Sequence, residues 1–122
     1  MNRPQVKRVY DPPGAADGCR VLVDRLWPRG LTKASAAIDH WLRDIAPSNE
    51  LRQWYQHDAA KWDEFRRRYF AELDGQEALV NELRELCAAG PVTLLFGSRE
   101  LTLNNAVALR EYLQRRADDG AG

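Results

Sequence analysis

The chain has 122 residues, enough for one compact domain with its own core. Lysine plus arginine and aspartate plus glutamate stand at 18 each, so net charge gives no reason to expect non-specific nucleic-acid binding. No apolar run reaches membrane-spanning length and no leader-like apolar stretch opens the chain, so a cytoplasmic protein with Cys19 and Cys87 reduced is expected.

Gln5 to Tyr10 alternates weakly and predicts a first strand. Asp11-Pro12-Pro13-Gly14 ends it, because proline cannot donate to a ladder and glycine permits the turn. Arg20 to Asp24 predicts a second strand. Thr32 is a helix N-cap candidate, and Ile38, Trp41, Leu42 and Ile45 follow at helical spacing, so a helix is expected there up to Pro47. Ser48 then caps a short helix with Leu51, Trp54 and Tyr55 on its apolar face. Asp58 caps the next, where Trp62, Phe65, Tyr69 and Leu73 form an amphipathic stripe that ends at Asp74-Gly75. Leu79, Leu83, Leu86 and Cys87 line a further helix, stopped by Gly90 and Pro91. Val92-Thr93-Leu94-Leu95-Phe96 is the strongest strand signal, apolar on both faces as a central parallel strand is. A last helix is expected from about Thr102 to Arg116, with Ala106, Leu109 and Leu113 inward. The expected fold class is α/β: a small, mainly parallel sheet packed by helices, Rossmann-like in three layers or two, over residues 1–122 as a single domain.

The segment Val21 to Gly30 carries the functional signal. A buried-looking strand breaks into Asp24, Arg25, Trp27 and Arg29, closed by Pro28 and Gly30. Ligands of open α/β sheets collect at the carboxyl ends of strands. The carboxyl end of the last strand carries Ser98, Arg99 and Glu100. If the two strands are neighbours, Arg25, Arg29 and Arg99 converge on one anion, since guanidinium forks grip phosphate or carboxylate. Free N–H groups at the start of the last helix would add to the site. Asn104 and Asn105 cap that helix or reach the ligand. Trp27 fills core or stacks on a ring. Asp24 and His57 are the acid–base candidates, with flanking arginines expected to depress the Asp24 pKa. The bland alternative is that Arg25 pairs with a nearby acid and Arg29 sits in a solvated turn. Two histidines and two cysteines without zinc spacing suggest no metal, and no cofactor is named by the sequence.

From Met1 to Lys33 the chain carries Arg3, Lys7, Arg8, Arg20, Arg25, Arg29 and Lys33 against Asp11, Asp17 and Asp24. That local positive face suits a small anionic ligand better than a long polyanion, so nucleic acid is a less favoured partner. Monomer and homodimer both stay open.

Val23-Asp24-Arg25-Leu26-Trp27-Pro28-Arg29-Gly30, Trp41-Leu42, Ile45-Ala46-Pro47-Ser48, Leu51-Arg52, Trp54-Tyr55 and His57-Asp58 resemble the family catalogued as domain of unknown function 488, in its small YeaO-like branch. Lys61-Trp62, Phe65-Arg66, Val92 to Phe96 and Asn104-Asn105-Ala106-Val107 match as well, so the similarity spans nearly the whole chain. The resemblance implies a small cytoplasmic bacterial α/β protein of unknown function whose signature is the arginine-bearing segment. Members often carry a histidine where this chain has Leu103, and Ala-Ala where it has Gly97-Ser98. The expected function is an anion pocket of phosphate or nucleotide type, in an enzyme or an enzyme-like receptor. The alternative is a non-catalytic module that binds nucleic acid or a protein.

Overall fold

The computed structural model describes residues 3–120, with side chains as far as Arg115. Four strands form one parallel sheet: β1 (Gln5–Arg8), β2 (Cys19–Leu22), β3 (His40–Trp41) and β4 (Val92–Phe96), in the spatial order β1-β4-β2-β3. β4 is central and buried at every residue, which explains its apolar character on both faces. Gln5 stands opposite Thr93 on one side of it and Cys19 opposite Val92 on the other.

Side chains alternate across the sheet. Val21, Val23, Leu94 and Phe96 join the larger core, and Leu22 and Leu95 join a smaller one on the opposite face. The larger core is closed by α2 (Asn49–Tyr55), α3 (Trp62–Asp74), α4 (Glu77–Ala89) and α5 (Asn105–Gly120). The smaller is covered by the single turn of α1 (Lys33–Ala36) and by Trp27, Leu31, Ile38 and Trp41. Ser48 caps α2 as expected, its Oγ accepting from the Leu51 N–H at 3.1 Å. Among the described residues no helix is long and apolar enough to cross a membrane.

The helix expected from Thr32 to Pro47 does not form. Thr32 does cap α1, but Ala37 takes a left-handed conformation with φ 50° and stops it after one turn. The Asp39 N–H then donates to the Arg20 carbonyl, and β3 pairs with β2 as a two-residue edge strand. Ile38, Trp41, Leu42 and Ile45 are buried or half-buried, but across a strand and a 3-10 turn at Arg43–Ile45.

The amino end of the sheet is tied by charge. Arg20, 4% exposed, gives Nη1 to Asp17 at 2.5 Å and its other nitrogens to the carbonyls of Ala36 and Ala37. Lys7 and the Gly14 N–H also donate to the Asp17 carboxylate, and the Gly14 bond leads in holding its pKa below the usual value. Gly18 has to be glycine: its φ is +64°, and a Cβ would lie 2.3 Å from the Pro91 carbonyl oxygen. The charged groups at this end are engaged in holding the turns around β2 together.

Candidate functional site

Two residues past β2, Asp24 ties the carboxyl edge together. Its Oδ2 accepts from the Gly97 N–H at 2.8 Å, just beyond β4. Its Oδ1 accepts from Asn105 Nδ2 at 3.0 Å, on the first residue of α5, and that same nitrogen donates to the Val23 carbonyl. Trp41 Nε1 donates to the Asp24 carbonyl at 2.8 Å. Burial pushes the Asp24 carboxyl above its usual pKa, against the Asn105 and Gly97 hydrogen bonds and the Arg52 and His57 charges, which pull it down. The depressed pKa expected from flanking arginines is therefore reversed. Arg25 turns away from Asp24, giving Nη2 to the Ala46 carbonyl and Nε to the Pro47 carbonyl at 3.0 and 3.3 Å.

In front of Asp24 lies a cavity of about 330 Å³. Three arginines line it: Arg25, Arg29 and Arg52. Arg25 is engaged with carbonyls and lies 3.6 Å from the Asp44 carboxylate. The Arg29 side chain is exposed and has no acid or hydrogen-bond partner among the described residues; its carbonyl accepts from Tyr10 Oη at 2.9 Å. Arg52 is exposed too, with one long contact of 3.5 Å to Asn49 Oδ1. Tyr10, Trp27, Tyr55 and Phe65 supply aromatic walls. Trp27 is held by an Nε1 bond to the Leu31 carbonyl at 2.7 Å and by an edge-on contact with Trp41, centroids 5.5 Å apart. Tyr55 stacks on Phe65 at 4.2 Å and donates to the Leu103 carbonyl at 2.7 Å. Burial pushes its phenol up to about 12. His57, also lining the cavity, has φ +56° directly after Gln56 at φ +45°, two strained residues in succession.

The sheet thus gathers most of the expected residues and leaves others out. Asp24, Arg25, Trp27, Arg29, His57, Ser98 and Asn105 line one cavity. Arg99 does not join them: it is exposed and makes no polar contact among the described residues. Asn104 is fully buried and structural, its Oδ1 accepting from the Val107 N–H and its Nδ2 donating to the Glu100 carbonyl. That cap satisfies the Val107 N–H, and the Asn104 carbonyl accepts the helix's first backbone bond, from Ala108. Leu103 lines a different groove, between α3 and α5. Arg52, Tyr55 and Phe65 were not expected at the site; they read as ordinary helix-surface and core positions. Arg8 was missed as well. It holds the loop after β4 in place, with Nε on the Ser98 carbonyl at 2.9 Å and its guanidinium 5.0 Å from the Tyr10 ring centre. Among the described residues no group of three His, Cys, Asp or Glu side chains gathers to hold a metal ion. Burial raises both thiols, so neither Cys19 nor Cys87 has thiolate character.

The model of a family described as the inactive DUF488-N3 subclade matches residues 3–121. The uncharacterized protein YeaO of Escherichia coli strain K12 is 42% identical over 110 residues, covering 90% of this chain and 96% of that protein. The uncharacterized protein Rv3073c of Mycobacterium tuberculosis is 42% identical over 114 residues, covering 93% of this chain and 96% of that one. No solved structure matches.

Proposed function

The chain belongs to the DUF488 family, and from that premise we propose that it is a receptor which holds a small anionic compound in the Asp24 cavity without turning it over. The observation that carries this reading is a pair of cations. Arg29 and Arg52 line the same cavity, and neither makes an ion pair among the described residues, Arg52 acting on the Asp24 carboxylate only through its longer-range charge. Arg25 is a third positive group whose orientation is already set by the Ala46 and Pro47 carbonyls. Guanidinium groups held without an acid partner beside a concave wall are suited to an incoming oxyanion.

Binding is favoured over catalysis by the state of the reactive groups. Both Asp24 oxygens are tied to donors. The Tyr55 hydroxyl is spent on a carbonyl, and the Ser98 hydroxyl leans on the Glu100 carbonyl at 3.3 Å with no base beside it. The family description, an inactive subclade, points the same way.

Isothermal titration with phosphate, sulfate and nucleoside monophosphates tests the proposal. Wild type is expected to bind at least one of them, and Arg29→Ala and Arg52→Ala each to weaken that binding about ten-fold or more while melting as wild type. Anion binding that is equal in all three proteins would refute it.

A second reading rests on another surface. Arg3 and Arg110 line the groove between α3 and α5, and Arg110 is half-buried with no acid or hydrogen-bond partner among the described residues. Burial and then the Arg3 charge push the Arg110 guanidinium below its usual pKa, and an acidic partner such as single-stranded nucleic acid would offset both. Affinity falling steeply with salt, and lost in Arg110→Ala but not in Arg29→Ala, would favour this reading over the first.

A further inference from the structure

Resting on the anion-receptor reading, we infer the class of ligand: a compound with a flat aromatic body of about one ring joined to its anionic group. Volume is the first argument. The cavity, at about 330 Å³, has room for several waters. A bare oxyanion displaces only a few of them and leaves most of the space as water against apolar walls. The cavity also lies near the lower end of the range that small-molecule sites occupy, which fits one ring and not a long chain.

The chemistry of the walls is the second argument. Tyr10, Trp27, Tyr55 and Phe65 line the space, with Arg29 and Arg52, which make no ion pair among the described residues, on the same lining. A site for a bare anion has no use for four rings. A site for an apolar compound has no use for two unneutralised guanidinium groups.

The third argument is that the walls are preformed. Trp27 is bonded to the Leu31 carbonyl and packed edge-on against Trp41. Tyr55 is stacked on Phe65 and bonded to Leu103. Neither ring is free to collapse into the space, so little ordering cost opposes entry of a rigid ligand. Asp24 faces the same cavity with both oxygens already hydrogen-bonded, and it disfavours an anion seated deep. The charge therefore belongs on the side of the exposed Arg29 and Arg52, and the ring against Trp27 and Tyr55.

Matched pairs test this by isothermal titration: phosphate against phenyl phosphate, and acetate against benzoate, with benzyl alcohol as the uncharged ring. Phenyl phosphate and benzoate are expected to bind at least ten-fold more tightly than phosphate and acetate, and benzyl alcohol more weakly than either. Trp27→Leu is expected to remove most of the ring's gain while leaving phosphate affinity within two-fold. Should that variant melt early, the wild-type Trp27 indole N–H gives the readout by NMR: phenyl phosphate is expected to shift it and phosphate to leave it unmoved, and equal shifts would overturn the ring. If phosphate and phenyl phosphate bind equally, and both through Arg29 and Arg52, the ring is overturned while the anion-receptor reading stands. If none of the five compounds binds, both fall.

Discussion

Replacing Asp24 with alanine tests whether the buried carboxylate is what joins β2, β4 and α5. The substitution strips an acceptor from the Gly97 N–H and from Asn105 Nδ2, which stand 2.8 and 3.0 Å from its oxygens. A hydrogen bond to a charged group contributes about 1.5–3 kcal/mol, so the two bonds supply about 4 kcal/mol gross. Against this stands the cost of burying the charge, whose sign is visible in the raised pKa. Asn105 also keeps its bond to the Val23 carbonyl. A net loss of about 2–3 kcal/mol follows, or a thermal midpoint lower by roughly 10 °C for a chain of this size. Asp24→Asn falls in between, about 1–2 kcal/mol, since one amide oxygen cannot serve two donors. Because the native pKa lies above the unfolded value, the native state holds the proton more tightly. Stability from this group is fully present below about pH 3.8 and is lost as pH rises through the native pKa. The wild-type advantage over Asp24→Asn is therefore larger in acid than at pH 7. Urea unfolding of the three proteins at several pH values measures all of this. An alanine variant within 0.5 kcal/mol of wild type would refute the reasoning.

Asp17 behaves in the opposite sense: its pKa is lowered, so its contribution is present above about pH 3.8 and is lost as pH falls through the native value. Arg20→Met, which leaves that buried carboxylate with only Lys7 and the Gly14 N–H, is expected to cost about 3 kcal/mol in urea unfolding and to flatten the acid limb. Gly18→Ala meets both a left-handed φ and a Cβ 2.3 Å from the Pro91 oxygen, so the thermal midpoint is expected to drop by at least 10 °C or the protein to stay insoluble. Tyr69→Phe removes a fully buried bond to the Ile45 carbonyl at 2.7 Å, a loss of about 1–2 kcal/mol by denaturant titration.

The parallel sheet and its helices were legible because their signals are local. β4 is buried on both faces and reads apolar throughout, and the stripe Phe65, Tyr69 and Leu73 faces the core of α3. β3 was illegible because nothing in His40-Trp41 declares a strand; its register comes from Val21 and Leu22, far away in the chain. The apolar residues from Ile38 to Ile45 fit a helix by spacing alone, and the left-handed Ala37 that breaks it carries no glycine or asparagine signature. At the site, the run from Asp24 to Arg29 was found because a strand visibly ends there. Arg52 belongs to a stretch that matches the family, but its place on the cavity follows from how α2 docks, which an arginine on a solvated helix face does not announce. Arg99 failed for the converse reason: adjacency to β4 in sequence put it near the edge, but the backbone of residues 98–100 turns its side chain to solvent.

The most direct measurement is an amide and indole NMR map of the protein titrated with phenyl phosphate. The account predicts that the Gly97 amide, the Trp27 indole N–H and the Asn105 side-chain amide shift together and saturate together, while Val107 and Arg110 stay still. Shifts gathered on the groove between α3 and α5, or none at all at millimolar ligand, would contradict it.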